Sequence, residues 1–305
     1  MASTANPLQQ ARSLHLPDRE SMLRRDPSVH RFWNDHRRLL ADAWIEWERE
    51  QPALAELLGP DLLDPALRRA VADAWEDPTT EGAVLDLLDE PVAGVFSFPF
   101  FDPAQVHRLR DYLDAAWDAD IPLRPPYGIV LNRGGAMLDP RSEGHLAAPA
   151  FQALLRDVFA TYMRPVARLV FPEITGHDGQ TFGFSIAYRP ETDTSIRPHT
   201  DASAVTLNIN LNVPGETFTG STVDFVDTRT GGVEQLTFAP GTAMLHRGHI
   251  PHAAQPITSG ERTNLVLWLV GDGGTMPPDA VTGPPATPAQ RWTVPTVVPD
   301  DWAPF

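Results

Sequence analysis

Four of the ten histidines lie between positions 199 and 252, and the first of them is followed two residues later by an aspartate. In extended chain the side chains of His199 and Asp201 point to the same side, so they can share one metal ion. A histidine from a distant strand would complete two nitrogens and one carboxylate on one face of an octahedron. Such a triad suits iron(II) and leaves the opposite positions open. His246, His249 and His252 are the three candidates for the distal ligand.

An arginine can bind the far carboxylate of a 2-oxoacid through two parallel hydrogen bonds. Arg262 is a candidate, because it begins the last apolar strand, and Asn264, Val266 and Trp268 share its face by parity. Taken singly, each part has a simpler interpretation. A histidine is more often a surface residue or a hydrogen-bonded core residue than a ligand, and an arginine after Gly-Glu is more often a solvent-facing charge.

Together these segments resemble a known family. The segment His199-Thr-Asp-Ala-Ser-Ala-Val-Thr-Leu-Asn-Ile-Asn-Leu-Asn212 is followed, about fifty residues after Asp201, by His252-Ala-Ala-Gln-Pro-Ile-Thr-Ser-Gly-Glu-Arg262. This arrangement resembles the iron(II)/2-oxoglutarate-dependent dioxygenases, most closely the prolyl and lysyl hydroxylase-like branch, over roughly residues 180 to 270. The resemblance implies that His252 is the distal ligand, that His246 is a packing residue near the site, and that His249 is exposed.

The resemblance also implies the cofactors and the residues that bind them. They are Fe(2+) in the triad, with 2-oxoglutarate and O2 as cosubstrates. Tyr188 and Asn208 would form hydrogen bonds with 2-oxoglutarate beside Arg262, and Asn264 would help to bind the same carboxylate. One departure is the segment Phe218-Thr-Gly-Ser-Thr-Val-Asp-Phe225, where the branch usually has paired glycines. This departure concerns a local turn and not the triad.

The expected reaction is hydroxylation of an unactivated C–H bond, with release of succinate and CO2. By analogy we expect a small-molecule substrate, such as an amino acid or a biosynthetic intermediate. Two alternatives stay open: hydroxylation of a lysyl or prolyl side chain in a protein, and a non-catalytic cupin-like protein that binds a metal or a small molecule. A hydrolytic or isomerising metalloenzyme could use the same triad. Desaturation or cyclisation could replace hydroxylation.

Several amphipathic or capped segments predict helices. Apolar residues at helical spacing predict one from residue 28 to about 50. Asp64-Pro65 and Asp102-Pro103 are typical helix starts, and the second of these helices should bury Val106, Leu109, Leu113 and Trp117. A longer helix should follow Pro149 and be kinked at Pro165.

Short strands are predicted between and after these helices, and from residue 205 onward the pattern is almost entirely strand and turn. The predicted strands span residues 95–98, 127–131, 182–188, 205–212, 222–226, 234–238, 242–245 and 263–270. Residues 205–212 alternate strictly between apolar and polar side chains. Short strands without intervening helices predict an α+β protein with a double-stranded β-helix, a jelly-roll or cupin-like core. The expected division is a helical region over 1–90, the dioxygenase domain over 91–275 and a proline-rich tail over 276–305, in which Trp292 and Trp302 would contact the body.

Composition narrows the classes of partner. The chain has 305 residues, a formal net charge of −16 and no cysteine. The missing thiols exclude disulfides, iron–sulfur clusters and cysteine nucleophiles, so any metal must have nitrogen and oxygen ligands. The acidic charge argues against a nucleic-acid partner. Without a signal peptide or a membrane-spanning segment, we expect a cytoplasmic protein with no membrane partner; the sequence predicts no oligomeric state.

Overall fold

The computed structural model describes residues 6–126, 135–278 and 285–295. Its α-helices are α1 (Pro7–Arg12), α2 (Arg19–Arg24), α3 (Pro27–Glu50), α4 (Pro52–Ala55), α5 (Pro65–Glu76), α6 (Gly82–Leu85), α7 (Val106–Trp117), α8 (Pro149–Asp157), α9 (Arg164–Val170) and α10 (Pro288–Arg291). Short 3-10 helices span Pro60–Leu62, Pro78–Thr80, Pro172–Ile174 and Asp272–Gly274, and a π-helix spans Val158–Met163.

The strands are β1 (Asp89–Val92), β2 (Val95–Pro99), β3 (Gln180–Tyr188), β4 (Ile196–His199), β5 (Val205–Asn210), β6 (Thr219–Gly220), β7 (Val223–Val226), β8 (Val233–Leu236), β9 (Thr242–Arg247), β10 (His252–Ala254), β11 (Ile257–Ser259) and β12 (Arg262–Val270). Seven of the predicted strands are therefore confirmed. The prediction for residues 127–131 lies outside the described residues.

The helices predicted near residues 28, 65 and 149 are confirmed as α3, α5 and α8. Helix α5 begins where the carboxylate of Asp64 accepts hydrogen bonds from the backbone N–H groups of Ala66 and Leu67, at 2.9 and 3.0 Å. These bonds satisfy donors that have no partner inside the first turn. The helix after Pro149 is interrupted by the π-helix, which ends just before Pro165. The interruption is thus a π-turn on the N-terminal side of the proline.

Two expectations for α7 were wrong. The helix begins at Val106 instead of directly after Asp102, and Trp117 is 48% exposed. The buried side of α7 passes through Leu109, Tyr112 and Ala116. Tyr112 occupies the core position because its hydroxyl donates to the buried carboxylate of Glu48 at 2.6 Å. This rotation of the helix turns Trp117 toward an open cleft on the surface.

Two antiparallel sheets face each other and form a double-stranded β-helix. One sheet has the order β1-β2-β9-β5-β12-β3 and the other the order β4-β10-β7-β8, while β11 and β6 pair separately. From β3 onward the chain crosses between the two large sheets repeatedly. The longest register in the larger sheet joins β12 and β3, from Arg262 opposite Tyr188 to Val270 opposite Gln180. The α+β fold with a jelly-roll core is as predicted.

The alternation of strand residues separates two apolar layers. On β5 and β12, Leu207, Ile209, Leu265 and Leu267 pack outward into the core shared with the helices. Their neighbours of opposite parity face the inside of the barrel, where Val266 and Trp268 join an aromatic cluster with β3. Thr206, Asn208 and Asn210 also lie on this inner side of β5. The inside of the barrel therefore combines polar side chains with apolar walls.

The described part of the C-terminal region contacts the helices. The indole of Trp292 is 5% exposed and donates to Glu81 at 2.9 Å, as expected of a residue that attaches this region to the body. Arg168 donates to the backbone carbonyls of Arg291 and Thr293 at 3.0 and 2.8 Å. Trp302 lies outside the described residues. Among the helices of the described ranges, none is long and apolar enough to span a membrane.

Candidate metal centre

The structure brings His199, Asp201 and His252 together at one end of the barrel. One ligand atom from each side chain lies within 4.8 Å of the other two. His199 Nε2 is 3.6 Å from one Asp201 carboxylate oxygen, and His252 Nε2 is 3.8 Å from the other. His199 ends β4 and His252 begins β10, and the two residues are direct partners in the smaller sheet. Strand pairing thus holds the two imidazoles side by side.

The other ring nitrogen of each histidine is held by the backbone. Nδ1 of His199 lies 2.8 Å from the carbonyl of Arg197, and Nδ1 of His252 lies 3.0 Å from the carbonyl of Ile250. A carbonyl can only accept, so each Nδ1 carries the proton and each Nε2 keeps its lone pair. Both lone pairs are therefore available to a metal ion, which is the usual arrangement of ligating histidines.

Asp201 is fixed by its side chain and by its backbone. The hydroxyl of Thr206 donates to the carboxylate at 2.6 Å, and Ser203 lies 2.9 Å from the same hydroxyl. The backbone N–H of Asp201 donates to the carbonyl of Gly248 at 2.8 Å. A Cβ atom at residue 248 would come within 1.9 Å of the carbonyl of Ser203, so only glycine allows this close approach of the two turns.

His252 is packed between two rings. Phe225 stacks on it with ring centroids 5.5 Å apart, and the ring of His246 meets it edge-on at 4.8 Å. Burial lowers the pKa of His252, an effect that the Asp201 carboxylate opposes. Burial also lowers the pKa of His246, to about 4. His246 is 1% exposed and His249 is exposed, as expected for a packing residue and a surface residue.

Arg262, Tyr188 and Asn208 line the same cavity as the triad. Arg262 is 1% exposed, and its Nε and Nη1 groups have no hydrogen-bond partner in the part of the chain that the structure describes. Its guanidinium lies over the Tyr188 ring, 4.4 Å from the centroid. Burial lowers the pKa of Arg262 and raises that of Tyr188 to about 12. Buried donors without partners are costly, so this site fits an anion that accepts from the guanidinium fork.

The two asparagines have different positions. Asn208 lines the cavity, whereas Asn264 is fully buried behind it and donates to the side-chain oxygen of Asn208 at 2.6 Å. The remaining cavity wall is apolar and includes Phe184, Ile186 and Val266. These side chains give the space between Arg262 and the triad an apolar wall. Asn264 is thus placed to act through Asn208.

Thr206 and Phe225 were not identified as site residues from the sequence. Thr206 shares the polar side of β5 with Asn208, so strict alternation could have identified it as a neighbour of the site. Phe225 contacts His252 because β7 pairs with β10, with these two residues directly opposite. This pairing brings together positions 225 and 252, and no local pattern in the sequence indicates it.

Comparison with known proteins supports a common origin for this region. Residues 178–270 match the 2OG-Fe(II) oxygenase superfamily. The chain is 31% identical over 186 residues to 2-oxoglutarate and iron-dependent oxygenase domain-containing protein 2 of Xenopus tropicalis, which covers 57% of this chain and 48% of that protein. It is 28% identical over 214 residues to the oxygenase domain-containing protein CP2 of Arabidopsis thaliana, covering 67% and 51%.

A third relative is the multifunctional procollagen lysine hydroxylase and glycosyltransferase LH3 of Rattus norvegicus. It is 29% identical over 189 residues, covering 60% of this chain and 24% of that protein. The chain spans about half the length of the Xenopus and Arabidopsis relatives.

Two imidazoles and one carboxylate on a double-stranded β-helix are a ligand set that fits a mononuclear non-haem metal centre with open positions. The nitrogen and oxygen donors fit iron(II), and the guanidinium fork in the same cavity fits a carboxylate. Residues 178–270, which contain all three residues of the triad, are similar to the 2OG-Fe(II) oxygenase superfamily. The cofactors of this superfamily are iron(II) and 2-oxoglutarate, with O2 as the second cosubstrate.

Proposed function

We propose that this protein is an iron(II)/2-oxoglutarate-dependent dioxygenase that hydroxylates an unactivated C–H bond of a small molecule, such as an amino acid or a biosynthetic intermediate. The observation that carries the proposal is the pair of unpartnered donors on Arg262 in the cavity of the His199, Asp201 and His252 triad. A protein that only binds a metal would not need a buried guanidinium directed at an anion beside it.

Each residue has a proposed role. His199, Asp201 and His252 hold iron(II), and Arg262 binds the distal carboxylate of 2-oxoglutarate while Tyr188 and Asn208 donate further hydrogen bonds. Asn264 supports Asn208 by donating a hydrogen bond to its side-chain oxygen. With its cosubstrates bound, such an iron centre converts 2-oxoglutarate and O2 to succinate and CO2 and delivers one oxygen atom to the substrate. The protein supplies orientation and a water-excluding wall.

For the whole chain we propose the same division as above. Residues 1–90 form a helical region packed on the dioxygenase domain of residues 91–275, and residues 276–305 form a proline-rich tail. We also propose a cytoplasmic location and no nucleic-acid or membrane partner. The helical core supports the packing, because α3 and α5 share one buried cluster with β5 and β12.

The test is anaerobic addition of iron(II) and 2-oxoglutarate, followed by exposure to air. We expect a weak visible absorption band before air and slow release of succinate after it. Both should be lost in His199→Ala and Asp201→Ala. If the wild-type protein gives neither the band nor succinate, the dioxygenase proposal is wrong.

A second candidate substrate is a lysyl side chain of a protein, which the lysine hydroxylase among the relatives favours. Stimulation of succinate release separates the two candidates. Free amino acids and metabolites should stimulate release if the substrate is small, whereas lysyl or prolyl peptides alone should do so if it is a protein. Mass spectrometry of the stimulating compound should show a gain of one oxygen atom.

A further inference from the structure

Four asparagines form a connected row from the edge of the barrel to the cavity. Asn208 and Asn210 belong to β5, Asn212 follows it, and Asn264 belongs to β12. Asn210, Asn212 and Asn264 are all buried, with exposures of 0%, 1% and 0%. Burying a primary amide costs free energy unless its donors and acceptor are bonded, so the partners of these side chains must be accounted for.

The orientation of the Asn212 amide is set by backbone groups that cannot reverse. Its oxygen accepts from the backbone N–H of Thr263 at 3.1 Å, and its nitrogen donates to the backbone carbonyl of Glu261 at 2.7 Å. A backbone N–H can only donate and a carbonyl can only accept. The Asn212 side chain therefore has one allowed orientation, and it holds the chain on both sides of Arg262.

The orientation of the Asn212 amide determines the orientations of Asn210 and Asn264. Asn210 Nδ2 donates to the oxygen of Asn212 at 2.9 Å, and the Asn210 oxygen accepts from the backbone N–H of Asn212 at 3.2 Å. Asn210 Nδ2 also faces the oxygen of Asn264 at 3.5 Å. Asn264 is thereby left with its nitrogen toward Asn208, to whose oxygen it donates at 2.6 Å.

We propose that this row of asparagines is a positioning device that makes Asn208 a donor and thereby selects a carboxylate at the Arg262 end of the cavity. Because the oxygen of Asn208 is taken by Asn264, the amide nitrogen is the group left for the cavity. It lines the same cavity as Arg262, whose Nε and Nη1 donors have no partner among the described residues. This inference rests on the proposed function, since it assigns the bound anion to the distal carboxylate of 2-oxoglutarate.

The row of asparagines should affect the choice between a carboxylate and a carboxamide as well as the affinity. An amide that is free to rotate can present its oxygen or its nitrogen, and an oxygen beside a carboxylate is repulsive. A neutral ligand end that both donates and accepts would tolerate either orientation. Removal of the Asn264 donor should therefore weaken the preference for a carboxylate over a carboxamide at the far end of the ligand.

The test is a titration of iron(II)-loaded protein, without O2, with 2-oxoglutarate and with 2-oxoglutaramate, in which an amide replaces the distal carboxylate. In Asn264→Leu we expect the ratio of the two affinities to fall by about tenfold, because a hydrogen bond to a charged group is being disordered. If Asn264→Leu does not fold, Asn264→Ala removes the same donor without adding bulk. The matched control is Thr263→Val, which alters the opposite face of the same strand.

Coupling between the two asparagines gives the second readout. In an Asn208→Ala background the further change Asn264→Leu should leave the affinity ratio unchanged, because the row acts only through Asn208. If Asn264→Leu lowers both affinities equally, or changes the ratio when Asn208 is absent, the inference is wrong. If wild-type protein binds neither ligand, the proposed function itself fails, which is a different result.

Discussion

Replacement of Arg262 by methionine should weaken 2-oxoglutarate binding severely without destabilising the ligand-free protein. Arg262 is 1% exposed, and two of its donors, Nε and Nη1, have no partner among the described residues. Each unpartnered buried donor costs about 1–3 kcal/mol, so removing both should contribute roughly 2–6 kcal/mol to the free energy of unfolding. The change also removes the contacts of the guanidinium with the rings of Tyr188 and Phe238.

These two effects partly cancel. Cation–π contacts contribute about 0.5–2 kcal/mol when desolvated, so we expect Arg262→Met to be more stable than wild type by about 1–2 kcal/mol in the absence of ligand. Loss of a buried charged partner costs about 2–5 kcal/mol of binding free energy, which lowers the affinity for 2-oxoglutarate by about 30-fold or more. Arg262 would thus be a residue that favours function at the expense of stability.

The assay is urea unfolding of the protein with and without iron(II) and 2-oxoglutarate, in the absence of O2. A ligand at one hundred times its dissociation constant should raise the free energy of unfolding of the wild type by about 2.7 kcal/mol. At the same ligand concentration Arg262→Met should show at most about 0.9 kcal/mol of this increase, because its affinity is at least about 30-fold lower. Arg262→Lys, which keeps the charge without the planar fork, should show an intermediate increase. The reasoning is refuted if Arg262→Met destabilises the ligand-free protein by more than about 2 kcal/mol or keeps the stabilisation by 2-oxoglutarate.

Three further predictions concern the metal centre. Asp201→Ala should lower iron(II) affinity more than about 100-fold, as measured by competition with a coloured chelator, because the single carboxylate ligand is lost. In the same assay Thr206→Val should lower iron(II) affinity about tenfold to 100-fold, because valine lacks the hydroxyl that donates to Asp201. Thr206→Ser keeps a hydroxyl and should lower the affinity much less. Equal affinities in the two Thr206 variants would contradict this role. Metal-free protein should lose stability as the pH falls from about 6.5 toward 4. The unfolded state binds a proton on His246 first, because burial lowers the folded-state pKa to about 4. Urea unfolding at several pH values should show this difference. Over the same pH range the free energy of unfolding of His246→Phe should fall by about 3 kcal/mol less than that of the wild type.

Local rules predicted the parts of the protein that depend on neighbouring residues. The i, i+2 spacing placed His199 and Asp201 on one side, helical periodicity placed α3, and the Asp64-Pro65 cap placed α5. The choice of His252 over His246 and His249 came from the resemblance to a family. In the structure this choice has a physical reason, because β10 pairs with β4 and sets His252 directly opposite His199.

Features that depend on distant contacts were missed or were wrong. Trp117 was expected in the core because its spacing from Val106, Leu109 and Leu113 suits a helix face. A buried carboxylate at Glu48 recruits Tyr112 instead, which rotates the helix and exposes Trp117. Helical spacing ranks positions by hydrophobicity alone. The orientation of α7 also depends on contacts of Tyr112 with distant residues: the hydrogen bond to Glu48, 64 positions away, and the rings of Trp47 and Phe151.

At Asn208 the pairing between strands determines which atom of the side chain faces the cavity. Alternation along β5 places Asn208 and Asn210 on the inner side, but it assigns no direction to either amide. That direction depends on the register in which Asn264 lies opposite Asn210 and Val266 lies opposite Asn208. A slip of one residue would turn every side chain of β12 to the other face, so Leu265 would replace Asn264 beside Asn208. The register that buries Leu265 and Leu267 among the helices therefore also fixes which atom of Asn208 is left for a ligand.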